Sequence, residues 1–104
     1  MEAVRIHSKQ DLLDTLFLHS VAIKAFGVNH LGIFGSFCKG THTESSDVDL
    51  LVDFDPTKKS FDNFMDLSFF LEEILGRKVE IVTPESLSKF IGPHILKEVQ
   101  HVNL

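Results

Sequence analysis

The stretch from Leu31 to Phe54 constrains the fold more than any other part of the chain. It reads Leu-Gly-Ile-Phe-Gly-Ser-Phe-Cys-Lys-Gly-Thr-His-Thr-Glu-Ser-Ser-Asp-Val-Asp-Leu-Leu-Val-Asp-Phe. A short apolar strand, Leu31 to Phe34, runs into Gly35-Ser36, where a tight turn or short helix begins. A second strand, Val48 to Phe54, opens with Asp47-Val48-Asp49. Side chains alternate across a strand, so Asp47 and Asp49 project from one face with Cα atoms about 6.6 Å apart. Carboxylates so placed can share a metal. Magnesium in particular is held by one or two carboxylates, with waters and substrate phosphates completing its shell.

The flanking segments supply helices. From about Lys9 to Phe26, Leu12, Leu13, Leu16, Val21 and Ile23 recur at helical spacing, and Gly27 offers a stop. From Ser60 to Leu75, Phe64, Leu67, Phe70, Leu71 and Ile74 form one apolar stripe, with Ser60 as N-cap and Gly76 as terminator. Lys78 to Val82 is a short strand. Thr83-Pro84 then starts a last helical stretch, broken near Gly92-Pro93 and resuming to about Val102. Three short strands separated by helices predict a small α/β (α+β) domain, a sheet covered by helices. At 104 residues the expectation is a single domain, 1–104, with no separate substrate domain. Phe61 and Phe69 fall off the main helical stripe and leave aromatic surface that a partner chain or a homodimer would bury.

Composition narrows the function. The formal charge is −5 and the basic residues are scattered, which disfavours a nucleic-acid partner. No run approaches the roughly 20 apolar residues of a membrane span, and the first residues do not resemble a signal peptide. Cys38 is the sole cysteine, so no internal disulfide forms and the expected location is the cytoplasm. Its expected role is packing. The six histidines show no zinc-ligand spacing. Asp53 shares the parity of Asp49 but lies about 13 Å along the strand, too far to join the same metal.

Two familiar phosphate motifs fail. Gly35 and Gly40 have the spacing of the nucleoside-triphosphatase loop, but Thr41 and His42 stand where it requires lysine and a hydroxyl residue. Phe37 occupies the second glycine position of the dinucleotide fingerprint. A different arrangement fits. Gly35 admits a ligand close to the backbone, Ser36 offers a hydroxyl and an N–H, and a helix starting there aims free amides at an anion. Lys39 would neutralise the same phosphates, and Asp47 and Asp49 would hold metal on the triphosphate. Two ions about 3.5 to 4 Å apart would clamp the attacking and leaving oxygens of an in-line displacement, with pyrophosphate leaving. Taken singly, Gly-Ser is a common turn, Ser-Asp a common cap, Lys39 a surface lysine and Glu80 an edge-strand acid.

Joined at this spacing, Gly35-Ser36-x-x-Lys39-Gly40 and Ser46-Asp47-x-Asp49-Leu50-Leu51-Val52 resemble the Gly-Ser-x-x-Arg-Gly and Ser-Asp-x-Asp signature of the minimal nucleotidyltransferases, the smallest members of the DNA polymerase beta superfamily. Gly76 to Glu85 resembles that family's third strand and following turn. The resemblance implies a small three-stranded mixed sheet with about four helices, and it maps the family's third carboxylate onto Glu80, as metal ligand and as acceptor of the attacking hydroxyl's proton. Two positions depart from the pattern, with Glu80 where aspartate is usual and Lys39 where arginine is usual. Lysine keeps the charge but loses the planar fork suited to bidentate phosphate contact.

The resemblance further implies a magnesium-dependent enzyme using ATP or another nucleoside triphosphate. It would transfer AMP to a hydroxyl of a partner protein, as the antitoxin of a helical HEPN-type ribonuclease toxin. The absence of tyrosine agrees with an acceptor on another chain. The rival reading is a binding module that neutralises its partner by contact, with Glu80 marking lost catalysis.

Overall fold

The computed structural model describes residues 5–90 and 92–104. Helix α1, Lys9–Leu18, is capped by Ser8, whose hydroxyl accepts from Asp11 N at 3.0 Å. Helix α2, Ser20–Ala25, follows after His19. The single helix expected from Lys9 to Phe26 is therefore two. His19 leaves helical geometry (φ −103°, ψ 19°), and its Nδ1 lies 2.9 Å from the Thr15 carbonyl. The bend lets Leu16 and Ile23, on different helices, both reach the core.

Strand β1, Val28–Phe34, passes through the short helix α3, Gly35–Lys39, and a polar turn into β2, Val48–Phe54. The two strands are antiparallel, with Leu31 opposite Val52 and Phe34 opposite Asp49. Helix α4, Phe61–Leu75, crosses over to β3, Val79–Val82, which lies parallel to β2. As the sequence indicates, Ser60 caps α4, accepting from Asn63 N at 3.1 Å, and Gly76 ends it in the left-handed region at φ 67°. Leu67, Leu71 and Leu75 are fully buried, while Phe61 and Phe69 stand 76% and 60% exposed.

The C-terminal segment departs from expectation. Pro84 opens only a 3-10 turn, Pro84–Ser86, and α5 covers Gly92–Glu98. The segment beyond it is a fourth strand, β4, Gln100–Val102, in place of the helix expected to run to Val102. Among the described residues the sheet has four strands in the order β3-β2-β1-β4, mixed in direction, rather than three. β4 docks antiparallel on β1 with His101 opposite Gly32. Gly32 permits this approach, since a Cβ there would strike the Val99 side chain and lie 3.5 Å from the Gln100 carbonyl. A three-residue strand is too short to show alternation, and Ile95, Val99 and Val102 happen to fall at helical steps.

The core lies between α1, α2 and α4 and one face of the sheet. Leu31, Ile33, Val48, Leu50 and Val52 meet Leu12, Leu16, Ile23, Leu67 and Leu71 there. Alternation then turns Asp49 and Glu80 to the opposite face.

Candidate active site

The Gly-Ser turn and the acidic strand meet. Gly35 adopts φ +73°, a conformation costly for any residue with a Cβ. A Cβ built on it would collide with the Asp49 carboxylate, lying 3.0 Å from its Cγ and 3.2 Å from its Cβ. The glycine is required twice, for its backbone and for the space Asp49 occupies. Ser36 follows in the first turn of α3, whose leading N–H groups have no partner within the helix.

Parallel pairing places Glu80 directly beside Asp49 on the neighbouring strand, as Val79 sits beside Val48. Adjacent strands lie about 4.8 Å apart, so the third acid suggested by resemblance stands next to the Asp-x-Asp pair. Asp49 is half-buried, whereas Asp47 and Glu80 are exposed. Burial raises the Asp49 carboxyl above its ordinary range, and the charges of Glu80 and then Asp47 raise it further. Among the described residues no three His, Cys, Asp or Glu side chains converge as a ready-made metal cage. Hard oxygen donors around a carboxylate that resists ionising still fit magnesium, which draws most of its shell from waters and phosphates. Any such ion would rest on Asp47 and Asp49, with Glu80 alongside.

Lys39 lies at the end of α3, and its Nζ is 3.3 Å from Glu98 on α5. Both side chains are about half exposed, so the pair holds the lysine weakly and leaves it available to a phosphate. Cys38 packs against the core with its Sγ 3.5 Å from the Glu98 carbonyl. Asp53 stands apart from the acids, paired with the His30 ring at 3.2 Å. Glu80 also lines a cavity of about 280 Å³ with Phe34, Val82, Leu87, Ile95 and the polar Ser86 and Ser88, a mostly apolar recess.

One residue escaped sequence reasoning. Arg77 is only 6% exposed. Its Nε donates to the Ile6 carbonyl at 2.9 Å, and its Nη1 reaches the carbonyls of Ser46, Thr43 and Glu44 at 3.0, 3.1 and 3.2 Å. Its charge, next to Lys78 and just past a helix-ending glycine, reads as ordinary solvated surface. No local pattern marks it.

The nucleotidyltransferase domain profile matches residues 21–101. The protein adenylyltransferase MntA of Thermococcus cleftensis is 43% identical over 77 residues, spanning 74% of this chain and 77% of that protein. MJ1379 of Methanocaldococcus jannaschii is 33% identical over 92 residues, spanning 86% of this chain and 89% of that one. A solved structure assigned as a minimal nucleotidyltransferase superposes with a TM-score of 0.69 at 29% identity, covering 88% of this chain and 95% of the other. A toxin–antitoxin structure with AMP-PNP shares the fold at a TM-score of 0.67 and 18% identity, over 91% of this chain and 72% of that one. The chain belongs to the nucleotidyltransferase domain family, and it is an enzyme of that kind.

Proposed function

We propose that this enzyme is a protein adenylyltransferase of the cytoplasm. It transfers AMP from ATP to a hydroxyl on a helical HEPN-type toxin and so acts as the antitoxin of the pair. The observation that carries the reading is the seating of Asp49 against the backbone of Gly35 and beside Glu80, which joins a phosphate cradle to an acidic cluster. The name of the Thermococcus relative and the nucleotide-bound toxin–antitoxin structure of the same fold support it.

In this mechanism Ser36 and the leading amides of α3 hold the terminal phosphates, aided by Lys39. Asp47 and Asp49 would hold magnesium, which when bound would offset the charge developing on the phosphate oxygens. The acceptor hydroxyl oxygen forms a bond to the α-phosphorus while the bond from that phosphorus to the bridging oxygen breaks, releasing pyrophosphate. Glu80 takes the proton from the attacking hydroxyl. Glutamate reaches one methylene further than the usual aspartate, toward the open side of the sheet.

Incubation with labelled ATP, magnesium chloride and the product of the neighbouring gene tests the proposal. Label should pass to that protein, and Asp47→Asn or Asp49→Asn should abolish the transfer. Absence of transfer by the wild type with all four ribonucleoside triphosphates would overturn it. The exposed Phe17, Val21 and Phe69 favour a second reading, neutralisation by contact alone. It requires that wild type and Asp49→Asn protect equally against the toxin.

A further inference from the structure

The turn that carries Asp47 into β2 packs on the rest of the molecule chiefly through His42, whose ring stacks on Phe37 and whose Nε2 lies 2.7 Å from the His7 carbonyl. Thr41 to Ser46 are all polar, and none is buried. Internal bonds close part of it: Thr43 N donates to Ser46 Oγ at 2.8 Å, and Ser46 N donates to the Thr43 carbonyl at 3.1 Å. Such a turn could pivot as a unit. The Arg5 guanidinium holds the Glu44 part of it, through side chain and carbonyl, and two consecutive residues of the approach to β3 hold both neighbours of Asp47. The Arg77 side chain binds the Ser46 carbonyl, and the Lys78 carbonyl accepts from Val48 N at 2.9 Å.

Arg77 suits this task for a physical reason. The carbonyls of Thr43, Glu44 and Ser46 converge on one nitrogen, whose positive charge offsets the repulsion between their negative ends. The planar fork reaches the other way as well, to Ile6, and so adds to the direct bonds that Arg5 and His7 of the segment preceding α1 make with Glu44 and His42. Its guanidinium lies 4.9 Å from the centre of the Phe37 ring, which stacks on its other partner, His42, at 4.0 Å. Phe37 belongs to α3, the helix that starts at the Gly-Ser turn. The same guanidinium therefore contacts both halves of the site without touching the reacting atoms.

We infer that Arg77 is a positioning residue for nucleotidyl transfer, drawing the carbonyls of Thr43, Glu44 and Ser46 together so that Asp47 leaves the turn aimed at the metal position shared with Asp49. The inference rests on the reading of Asp47 and Asp49 as the magnesium–triphosphate carboxylates. A lysine in this place supplies a point charge without the fork, and cannot hold Ile6 and the turn together.

The test is calorimetric titration of the full chain with AMP-PNP at stepped magnesium chloride concentrations. Calorimetry suits a chain without tryptophan or tyrosine, which has little intrinsic fluorescence to follow. Arg77→Lys should raise the magnesium concentration for half-maximal binding by between about 10- and 100-fold, the usual cost of loosening a metal ligand's support. On an Asp47→Asn background the same change should cost nothing further. A purely structural role would lower the amount of analogue bound while leaving the magnesium midpoint in place, and its effect would add to that of Asp47→Asn. Either result overturns the inference. Should Arg77→Lys not fold, Phe37→Leu removes the ring beneath the guanidinium and should move the midpoint in the same direction by a smaller factor; an unchanged midpoint overturns the inference equally. A wild type that binds no analogue at any magnesium concentration overturns the reading of the site itself, and this inference with it.

Discussion

The carboxylate of Asp49 occupies the space that a side chain at Gly35 would need. Strand β2 and the turn after β1 thus fit together at the point where phosphate and metal are expected to meet. Gly35→Ala should strain the backbone at φ +73° and push Asp49 aside. We expect a loss of stability of about 1–2 kcal/mol by urea denaturation, and a loss of labelled-AMP transfer of about 100-fold or more. Wild-type transfer by Gly35→Ala would show that the contact has no catalytic role.

Asp49 also imposes a cost on the fold. Burial, then Glu80, then Asp47 raise its carboxyl above the unfolded value, so the native state holds its proton more tightly than the unfolded chain does. Stability is therefore lost as pH rises from the unfolded value through the folded one, and at neutral pH the full cost is present. Asp49→Asn should melt higher than wild type at pH 7, by on the order of a few °C given solvent screening of a half-exposed group. The gain should vanish below about pH 4, near the ordinary carboxylate value. Differential scanning calorimetry across that range reads both the sign and the window.

Glu80 stands in register with Asp49 but exposed. Glu80→Gln removes the proposed proton acceptor while keeping size, and should lower transfer by about 100- to 10,000-fold. Glu80→Asp, which restores the acid common in the family, should keep at least a tenth of wild-type transfer, about 1.4 kcal/mol at most. Initial rates with labelled ATP separate the two; equal rates for wild type and Glu80→Gln would remove Glu80 from the mechanism.

β4 depends on a missing side chain. Gly32→Ala places a methyl against Val99 and should lift β4 from β1, at about 1–3 kcal/mol. Amide exchange at Gln100, His101 and Val102 should accelerate, while β3, on the opposite sheet edge, keeps its protection.

Lys39 gives a smaller effect. Its exposed pair with Glu98 contributes little, so Lys39→Ala should change stability by less than about 1 kcal/mol. The loss should fall on nucleotide affinity instead, read as a raised KM for ATP with kcat largely kept. Lys39→Arg, which regains the fork, should lower that KM to or below the wild-type value.

How legible this protein is in its sequence depends on the range of each contact. Helix α4, its Ser60 cap and its Gly76 terminator were readable because their determinants lie within a few residues of one another. The same holds for the Gly-Ser turn and the Asp47–Asp49 spacing. The break at His19 is not legible because apolar spacing continues across it, while the His19 ring packs edge-on against Phe70, far along the chain. β4 was missed because its register is set by a glycine far back in the chain.

By itself the sequence determined the order of the elements from β1 to β3, the glycine turn after β1, and the spacing of Asp47 and Asp49 at the start of β2. Short-range periodicity and backbone preference suffice for these. Only the tertiary structure decided that Glu80 stands beside Asp49, that Asp49 fills the hollow over Gly35, and that Arg77 is a buried clasp rather than a surface cation. Those relationships join residues between 31 and 71 positions apart or, at Gly35 and Asp49, on opposite sides of a loop. They exist only once strand pairing and core burial have closed the chain on itself.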